Sequence, residues 1–185
     1  MEESELIYQV KDQNPKAFSH LVDLYSTMVY SVAIKMVNNK EDAEDITQEV
    51  FTTIWTSIES FKGESLLKTW IFRLAINKSH EFLRKKNRKK RKGFHFELEE
   101  VKHIQSNQEL EPDKLIELDE LKDLFNQSLN KLPANQQTAF LLNRFEEMSY
   151  REIADEMKIS HSAVESLIFR AKQKLSILMQ KTKIQ

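Results

Sequence analysis

Apolar residues recur every three or four positions along most of this chain, and residues that interrupt helices are scarce. Its 185 residues include two glycines and three prolines. Hairpins and extended loops usually need more turn residues than this, and the apolar spacing is that of amphipathic helices. We therefore predict an all-α fold, with enough chain for one ordinary domain or two small ones.

Three amphipathic helices are predicted in the first half of the chain. The first begins at Asn14 and Pro15, a pair typical of an N-cap followed by proline at the first helical position, and it carries an apolar stripe over residues 18–36. The segment "VNNKED" ends this helix, and a second apolar stripe covers residues 43–58. After the turn "ESFKGES", a third helix begins near Leu66 and continues into a basic block.

Charge is distributed in blocks, although the formal net charge is only −1. In residues 84–92, "RKKNRKKRK", eight of the nine residues are Lys or Arg. Residues 41–49 contain five acids and no base, and residues 97–120 contain nine acids against two lysines. Blocks of one sign are typical of interaction surfaces or disordered segments. The basic block by itself is typical of a nuclear-import signal or a disordered tail; because it continues a helix, we expect a flexible arm only from Arg88 onward.

The helical pattern is lost over residues 93–112, where the sequence is polar and acidic. This composition is typical of a flexible linker. After Pro112 the apolar spacing returns in a fourth helix, and further helices follow, the first of them over residues 134–145. The sequence therefore predicts two small helical domains, residues 1–92 and 113–185, joined by an acidic flexible linker.

The segment "MSYREIADEMKISHSAVESLIFRAKQKL" has the pattern of a helix-turn-helix. Ser149 can cap a short helix in which small Ala154 suits a close helix crossing. Ser160 or Ser162 can cap the next helix, and Ser162 with Glu165 fits a capping box. The second helix of such a motif enters the major groove, although an ordinary pair of packed helices has the same pattern. The residues predicted to contact duplex DNA are Arg151, Ser160, His161, Ser162, Glu165, Ser166, Arg170 and Lys172.

One face of the third helix carries cationic and amide side chains, which suit phosphates and base edges. They share a stripe because they are three or four residues apart, and we expect them opposite Trp70, Leu74 and Phe82. Phe61, Trp70 and Phe72 are candidates for stacking on unpaired bases. A solvated polar face over a core that contains Trp70 is the alternative. The residues of this stripe are Arg73, Asn77, His80 and Arg84.

The order of motifs resembles that of the extracytoplasmic-function (ECF) sigma factors of bacterial RNA polymerase. "DAEDITQEVF" and "TWIFRLAIN" are similar to region 2 of that family, and "LP" followed by "MSYREIA" is similar to region 4. The resemblance covers almost the whole chain except the linker and the two tails. It implies a helical region 2 and a helix-turn-helix region 4.

The resemblance also implies a function, which is to bind core RNA polymerase and direct promoter-specific initiation. Region 2 would recognise the −10 element and hold melted DNA, with the loop "FKGESLLK" as the pocket for a flipped-out base. The residues that the resemblance implies for contact with melted DNA are Phe61, Lys62, Trp70, Arg73, Asn77, His80, Arg84 and Lys85. Region 4 would recognise the −35 element and contact the β flap, and the linker would run near the RNA exit path. Docking on the β′ clamp helices is expected from the acidic second helix, through Asp42, Asp45, Gln48 and Glu49.

Several further expectations follow from the resemblance. The protein would have no catalytic residues, metal, cofactor or small-molecule substrate. An anti-sigma factor is expected as a partner, and the location is expected to be cytoplasmic, with that partner able to hold the protein at the membrane. Many family members have a Lys and an Arg where this chain has Glu165 and Leu167, so the base preference of the recognition helix does not carry over. Glu165 can instead accept from a cytosine amino group.

Other functions are compatible with parts of the sequence. A helix-turn-helix regulator that binds duplex DNA without core polymerase is the main alternative, and an anti-sigma or adaptor protein is another. A helical enzyme or metalloprotein is disfavoured, because the five histidines form no ligand pattern with carboxylates and no phosphate-binding glycine loop is present. The absence of cysteine excludes disulfides and thiolate metal sites. The acidic, polar N-terminus is not that of a signal peptide.

Overall fold

The computed structural model describes residues 2–92 and 112–182, with side chains described for residues 2–88 and 120–180. Every regular element in these ranges is helical, which confirms the predicted all-α fold. The chain divides into two compact units, Met1–Val101 and Lys102–Gln185, called here the N-terminal and C-terminal units. The helices are α1 (Glu3–Lys11), α2 (Pro15–Val37), α3 (Lys40–Ser57), α4 (Leu67–Lys92), α5 (Pro112–Asn130), α6 (Ala134–Phe145), α7 (Tyr150–Met157) and α8 (His161–Thr182), with a 3₁₀ turn at Ile58–Ser60. The predicted linker lies outside the described residues, apart from Pro112.

Helix α1 precedes the three helices predicted for this half of the chain, so the expected number was wrong. It is short and has a single buried pair, Leu6 and Val10, which gives too weak a period to be recognised in the sequence. The predicted start of α2 is confirmed. The Asn14 side chain accepts hydrogen bonds from the backbone N–H groups of Lys16 and Ala17, and proline occupies the first helical position.

The turn between α2 and α3 consists of two asparagines with different roles. Asn38 ends α2 in the left-handed conformation, with φ of 49°, which asparagine tolerates better than most residues. Asn39 caps α3, and its side-chain oxygen accepts from the Asp42 backbone N–H at 2.8 Å. The two helices joined by this turn pack against each other, and the predicted apolar stripes contribute buried residues to both.

The core of the N-terminal unit lies where α2, α3 and α4 pack together. Helix α1 covers α2 and the 3₁₀ turn. Leu21, Ile46, Ile54 and Ile71 have at most 1% of their surface exposed. Fully burying such a side chain contributes about 1.5–3 kcal/mol, so apolar burial dominates the stability of this bundle.

Helix α8 is the centre of the C-terminal unit, and α5, α6 and α7 all pack against it. Leu129, Leu141, Val164 and Ile168 are buried between these helices. The predicted helix after Pro133 is confirmed, since α6 begins at the next residue. In both units the part of the chain that the structure describes has no helix long and apolar enough to cross a membrane.

Candidate nucleic-acid interface

The stripe predicted on α4 occupies the surface of the helix. Asn77 and Arg84 are exposed, while Arg73 and His80 are partly covered. Burial lowers the pKa of His80 below its ordinary value of 6.5, and the Arg84 guanidinium nearby lowers it further. Both effects favour the neutral imidazole of His80 over its cation.

Trp70 lies beside this stripe and not opposite it, which corrects the sequence interpretation. Three and seven residues separate it from Arg73 and Asn77, and these spacings place side chains on the same side of a helix. Its ring packs on Phe61 with centroids 5.5 Å apart and remains half-buried. Part of the indole surface therefore borders the polar stripe.

Two of the three aromatic residues expected to stack on bases are covered by protein. Phe61 is 5% exposed and Phe72 is 1% exposed. Because stacking on a base needs an open ring face, neither side chain can do so in this conformation. The expectation was wrong for both, since Phe72 belongs to the core and Phe61 supports Trp70 from below. Of Phe61, Trp70 and Phe72, only Trp70 has a substantial part of its side chain exposed.

The loop between the 3₁₀ turn and α4 has an exposed outer side. Lys62 and Glu64 are exposed, and Leu66 is 67% exposed, which is unusual for a large apolar residue. Gly63 has φ of +74°, in the left-handed region that favours glycine. This glycine allows the chain to turn sharply and present its neighbours to solvent.

The acidic surface of α3 is divided by ion pairs with α4. Asp42 Oδ2 lies 2.6 Å from Lys86 Nζ, and Glu49 Oε1 lies 3.2 Å from Lys78 Nζ. Asp45 and Gln48, in contrast, are exposed. The four residues predicted to dock on a partner protein therefore form two pairs, one directed towards α4 and one towards solvent.

Two further acids, Glu41 and Glu44, extend the solvent-exposed side of α3. Neither was in the predicted set, although each lies three or four residues from Asp45 or Gln48 and so shares their face. Glu44 is 3.8 Å from Lys40 on the same helix. The outward acidic face of α3 therefore consists of Glu41, Glu44, Asp45 and Gln48.

The basic block is partly neutralised by neighbouring acids. Lys85 is 2.8 Å from Glu81, one turn earlier, and Lys86 is held by Asp42. Arg84 and Arg88 are exposed. The backbone remains helical to Lys92, so the expectation of a flexible arm from Arg88 onward is wrong for residues 88–92.

The first helix of the helix-turn-helix has the predicted cap. The Ser149 backbone N–H donates to Glu152 Oε2 at 2.8 Å, and the Glu152 N–H donates to Ser149 Oγ at 3.3 Å, which completes a capping box. Hydrogen bonding to Ser149 lowers the pKa of Glu152. Helix α7 ends at Met157, and the next residue, Lys158, turns the chain towards α8 with a φ of 55°.

Ser160 caps the second helix, because the Ala163 N–H donates to Ser160 Oγ at 3.2 Å. The predicted capping box of Ser162 and Glu165 is wrong, since α8 begins one residue before Ser162 and both side chains point outward. His161 Nδ1 lies 3.9 Å from Glu165 Oε1. All eight residues predicted to contact duplex DNA are exposed: Arg151, Ser160, His161, Ser162, Glu165, Ser166, Arg170 and Lys172.

Phe169 is an additional candidate that the sequence analysis missed. It is 66% exposed and lies on α8 three residues after Ser166 and four after Glu165, on the same outward face. The sequence contained a signal for it, because Phe169 falls between the buried positions Ile168 and Ala171 and outside the apolar period. Its position among the predicted DNA-contacting residues makes Phe169 a candidate for an apolar contact with a base.

Within the described ranges, no group of three or more His, Asp or Glu side chains is placed to hold a metal ion. The two candidate surfaces include amides, hydroxyls, cations and the aromatic side chains of Trp70 and Phe169, which are groups suited to nucleic acid.

Comparison with known proteins identifies the family. The model of sigma-70 region 2 matches residues 21–89, and the model of sigma-70 region 4 matches residues 122–175. The ECF RNA polymerase sigma-E factor of Haemophilus influenzae is 30% identical over 172 residues, which cover 91% of this chain and 90% of that protein. The chain belongs to the ECF sigma factors of RNA polymerase.

Other similar proteins agree with this assignment. The RNA polymerase sigma-H factor of Pseudomonas aeruginosa is 27% identical over 97% of this chain and 94% of its own length. A solved structure contains the sigma factor RpoE in complex with the anti-sigma factor NepR from Bartonella quintana, and its matched chain has the same fold as the present chain. The TM-score is 0.64, and the identity is 24% over 89% of the present chain and 98% of the matched chain.

The predicted family and function are therefore confirmed. The sigma factor is a non-enzymatic subunit of RNA polymerase and directs promoter-specific transcription initiation. This assignment disfavours the main alternative, a helix-turn-helix regulator that acts without core polymerase. The roles of the individual residues stay predictions, and α1 lies outside both matched regions.

Proposed function

We propose that the N-terminal unit of this sigma factor recognises the −10 element and holds its melted strand on one face of α4. The observation that carries the proposal is the surface formed by Trp70, Asn77 and Arg84, in which an aromatic edge, an amide and a cation follow one another along the helix. These groups suit a base plane, a base edge and a phosphate, in that order.

The energetic requirement is the opening of duplex DNA, which costs a few kilocalories per mole for each unstacked base. Stacking of a base on an aromatic side chain returns about 1–3 kcal/mol, and cations attract the strand regardless of its sequence. Trp70 can supply the first contribution, and Arg84 and Arg88 the second. The exposed loop that contains Lys62 and Gly63 is the proposed pocket for a flipped-out base.

The C-terminal unit is proposed to place α8 in the major groove of the −35 element. Glu165 can accept from a cytosine amino group, and Phe169 can make an apolar contact with a thymine methyl group. Arg151, Arg170 and Lys172 are the proposed phosphate contacts. A β-flap contact by this unit is also part of the proposal.

The outward face of α3 is proposed to dock on the β′ clamp helices. Asp45 and Gln48 are the principal candidates, because Asp42 and Glu49 are already paired with lysines of α4. An acidic surface that meets a basic partner accelerates docking and loses strength as salt rises.

An anti-sigma factor is proposed as a further partner. Support comes from the matched RpoE structure, whose chain is bound to the anti-sigma factor NepR. A cytoplasmic location is proposed as well, because core polymerase and promoter DNA are there. An anti-sigma factor anchored in the membrane would hold the protein beside it.

A transcription assay with a promoter library tests the proposal. The sigma factor is mixed with core polymerase and a library whose upstream and −10 segments are randomised, and transcripts are sequenced to identify active promoters. On an active promoter, Asn77→Ala is expected to lower open-complex formation about tenfold, as measured by permanganate reactivity of unpaired thymines.

Ser19→Ala, at an exposed position of α2, is the matched control and should retain full activity. Normal strand opening by the Asn77→Ala and Trp70→Ala variants alike would contradict the proposed face. Absence of both core binding and initiation by the wild-type protein would refute the whole proposal.

A further inference from the structure

Helix α1 makes polar contacts to the backbone on both sides of the loop that separates α3 from α4. Lys11 Nζ donates to the Phe61 carbonyl at 3.0 Å, although the two residues are 50 positions apart in the sequence. At the other end of the loop, the Leu67 N–H approaches Glu3 Oε1 at 3.4 Å. Both contacts join a charged side chain of α1 to a backbone group of the loop.

A third contact fixes the approach to the loop. Gln13 Nε2, just after α1, donates to the Trp55 carbonyl at 3.3 Å. Leu6 and Val10 are buried, so α1 is anchored by its apolar side while its polar groups face residues 55–67. The segment is therefore held at three points by α1 and the residue Gln13 that follows it.

These contacts are suited to fixing the backbone conformation of the loop. Each bond is made to a backbone group, so the outward side chains of Lys62, Glu64 and Leu66 remain free of them and exposed. Leu67 is the first residue of α4, and its N–H is one of the four that a helix leaves without an internal partner. A carboxylate at this position is favoured by the helix dipole.

Lys11 has a second effect through Phe61. The Phe61 ring packs against Trp70, whose remaining surface borders the polar stripe of α4. A bond to the Phe61 carbonyl therefore fixes the residue that supports the exposed aromatic edge. Without this bond, both the loop backbone and the side chain of Trp70 would be less firmly held in place.

We infer that α1 positions the base-binding loop, with Lys11 and Glu3 holding residues 61–67 in the shape that receives a flipped-out base. The inference rests on the proposed function of that loop. It assigns Lys11 and Glu3 as positioning residues, which act through the loop and touch no DNA themselves. It also gives a role to a helix that neither matched region includes.

Holoenzyme selection on fork-junction DNA tests this inference. The probe is a duplex with an unpaired non-template tail of random sequence, and the bound molecules are sequenced to obtain the base preference at each tail position. Lys11→Met, which keeps the length of the side chain and removes its donors, is expected to lower enrichment about three- to tenfold at one tail position. Preferences at the other positions and affinity for core polymerase should be unchanged.

Three variants separate positioning from folding. Lys11→Arg retains a donor and should restore the preference, while Lys16→Met makes the same charge change at an exposed site on α2 and should have no effect. Glu3→Gln removes the charge at the Leu67 end and should weaken the preference at the same tail position. It supplies an independent test if Lys11→Met fails to fold, as judged by urea unfolding.

The following results would contradict the positioning role of α1 or the proposed function. An unchanged preference at every tail position in both Lys11→Met and Glu3→Gln would overturn the inference, as would an equal loss at all positions. A wild-type holoenzyme that initiates transcription yet shows no preference in the unpaired tail would overturn the base pocket and the inference together. A wild-type protein that does not bind core polymerase would refute the proposed function itself.

Discussion

Replacement of Asp42 and of Asp45 by asparagine should have different consequences, although the two acids are three residues apart on α3. Asp42 lies 2.6 Å from Lys86, and the two side chains are 19% and 37% exposed, so the pair is partly screened by water. The attraction of two charges at 4 Å is about 4 kcal/mol at an effective dielectric constant of 20. Desolvation and side-chain ordering offset most of it, and measured exposed pairs give about 0.2–1 kcal/mol. We expect Asp42→Asn to lower the free energy of unfolding by about 1 kcal/mol.

The assay can isolate the N-terminal unit within the full chain. Both tryptophans, Trp55 and Trp70, belong to that unit, so tryptophan fluorescence during urea unfolding reports on it alone. With a urea dependence of about 1 kcal/mol per molar, Asp42→Asn should lower the midpoint by roughly 1 M. In a double-mutant cycle with Lys86→Met, the coupling free energy should be about 0.5–1 kcal/mol.

Asp45→Asn is the matched comparison, because Asp45 is exposed and directed away from α4. Its effect on stability should stay within about 0.5 kcal/mol. Its affinity for core polymerase should fall several-fold at low salt, and this difference should shrink as salt rises. If Asp42→Asn leaves stability unchanged and weakens core binding as much as Asp45→Asn does, the assignment of Asp42 to an internal pair and of Asp45 to the docking surface is wrong.

Three further outcomes follow from the caps, charges and burial described above. Ser149→Ala should destabilise the C-terminal unit by about 1 kcal/mol, visible as faster amide exchange in α7, and unchanged exchange would contradict the role of the capping box. On duplex DNA, Glu165→Gln should change base preference while Arg170→Ala weakens binding to all sequences alike; a promoter-library assay in which Glu165→Gln keeps the wild-type preference would refute this. Because burial lowers the pKa of His80, the unfolded chain takes up its proton first, so stability of the N-terminal unit should fall as pH drops below about 6.5. His80→Gln should flatten that part of the urea-midpoint profile, and an unflattened profile would assign the dependence to other groups.

Local signals in the sequence predicted much of the fold. Asn14 with Pro15 marked the start of α2, and Ser149 marked the start of α7, because each cap acts within three residues of itself. The apolar stripes predicted which sides of α2 and α3 are buried, since the helical period alone determines a face. The exposure of the predicted DNA-contacting residues of α8 was predictable for the same reason, whereas the exposure of Phe169 was missed.

Contacts between different helices could not be predicted from these local signals. The ion pairs of Lys86 with Asp42 and of Lys78 with Glu49 depend on how α4 lies against α3, and no spacing within either helix specifies that. The contact of Lys11 with the Phe61 carbonyl depends on α1, which the sequence did not reveal. Ser160 and Ser162 were both plausible caps by sequence, and the hydrogen bond to the Ala163 N–H distinguishes them.

The pairing of α3 with α4 gives a physical reason why an almost neutral chain carries a basic helix. Lysines that face α3 are held by its acids, so part of the positive charge stabilises the N-terminal unit and is withdrawn from DNA. Cations directed away from α3, such as Arg84 and Arg88, remain exposed. Because non-specific attraction to DNA grows with the number of phosphates neutralised, the internal pairs lower the affinity of the free protein for arbitrary sequences. The acids of α3 thus form two sets according to the side of the helix on which they lie. One set is paired with lysines of α4, and the other is exposed and is the proposed docking surface.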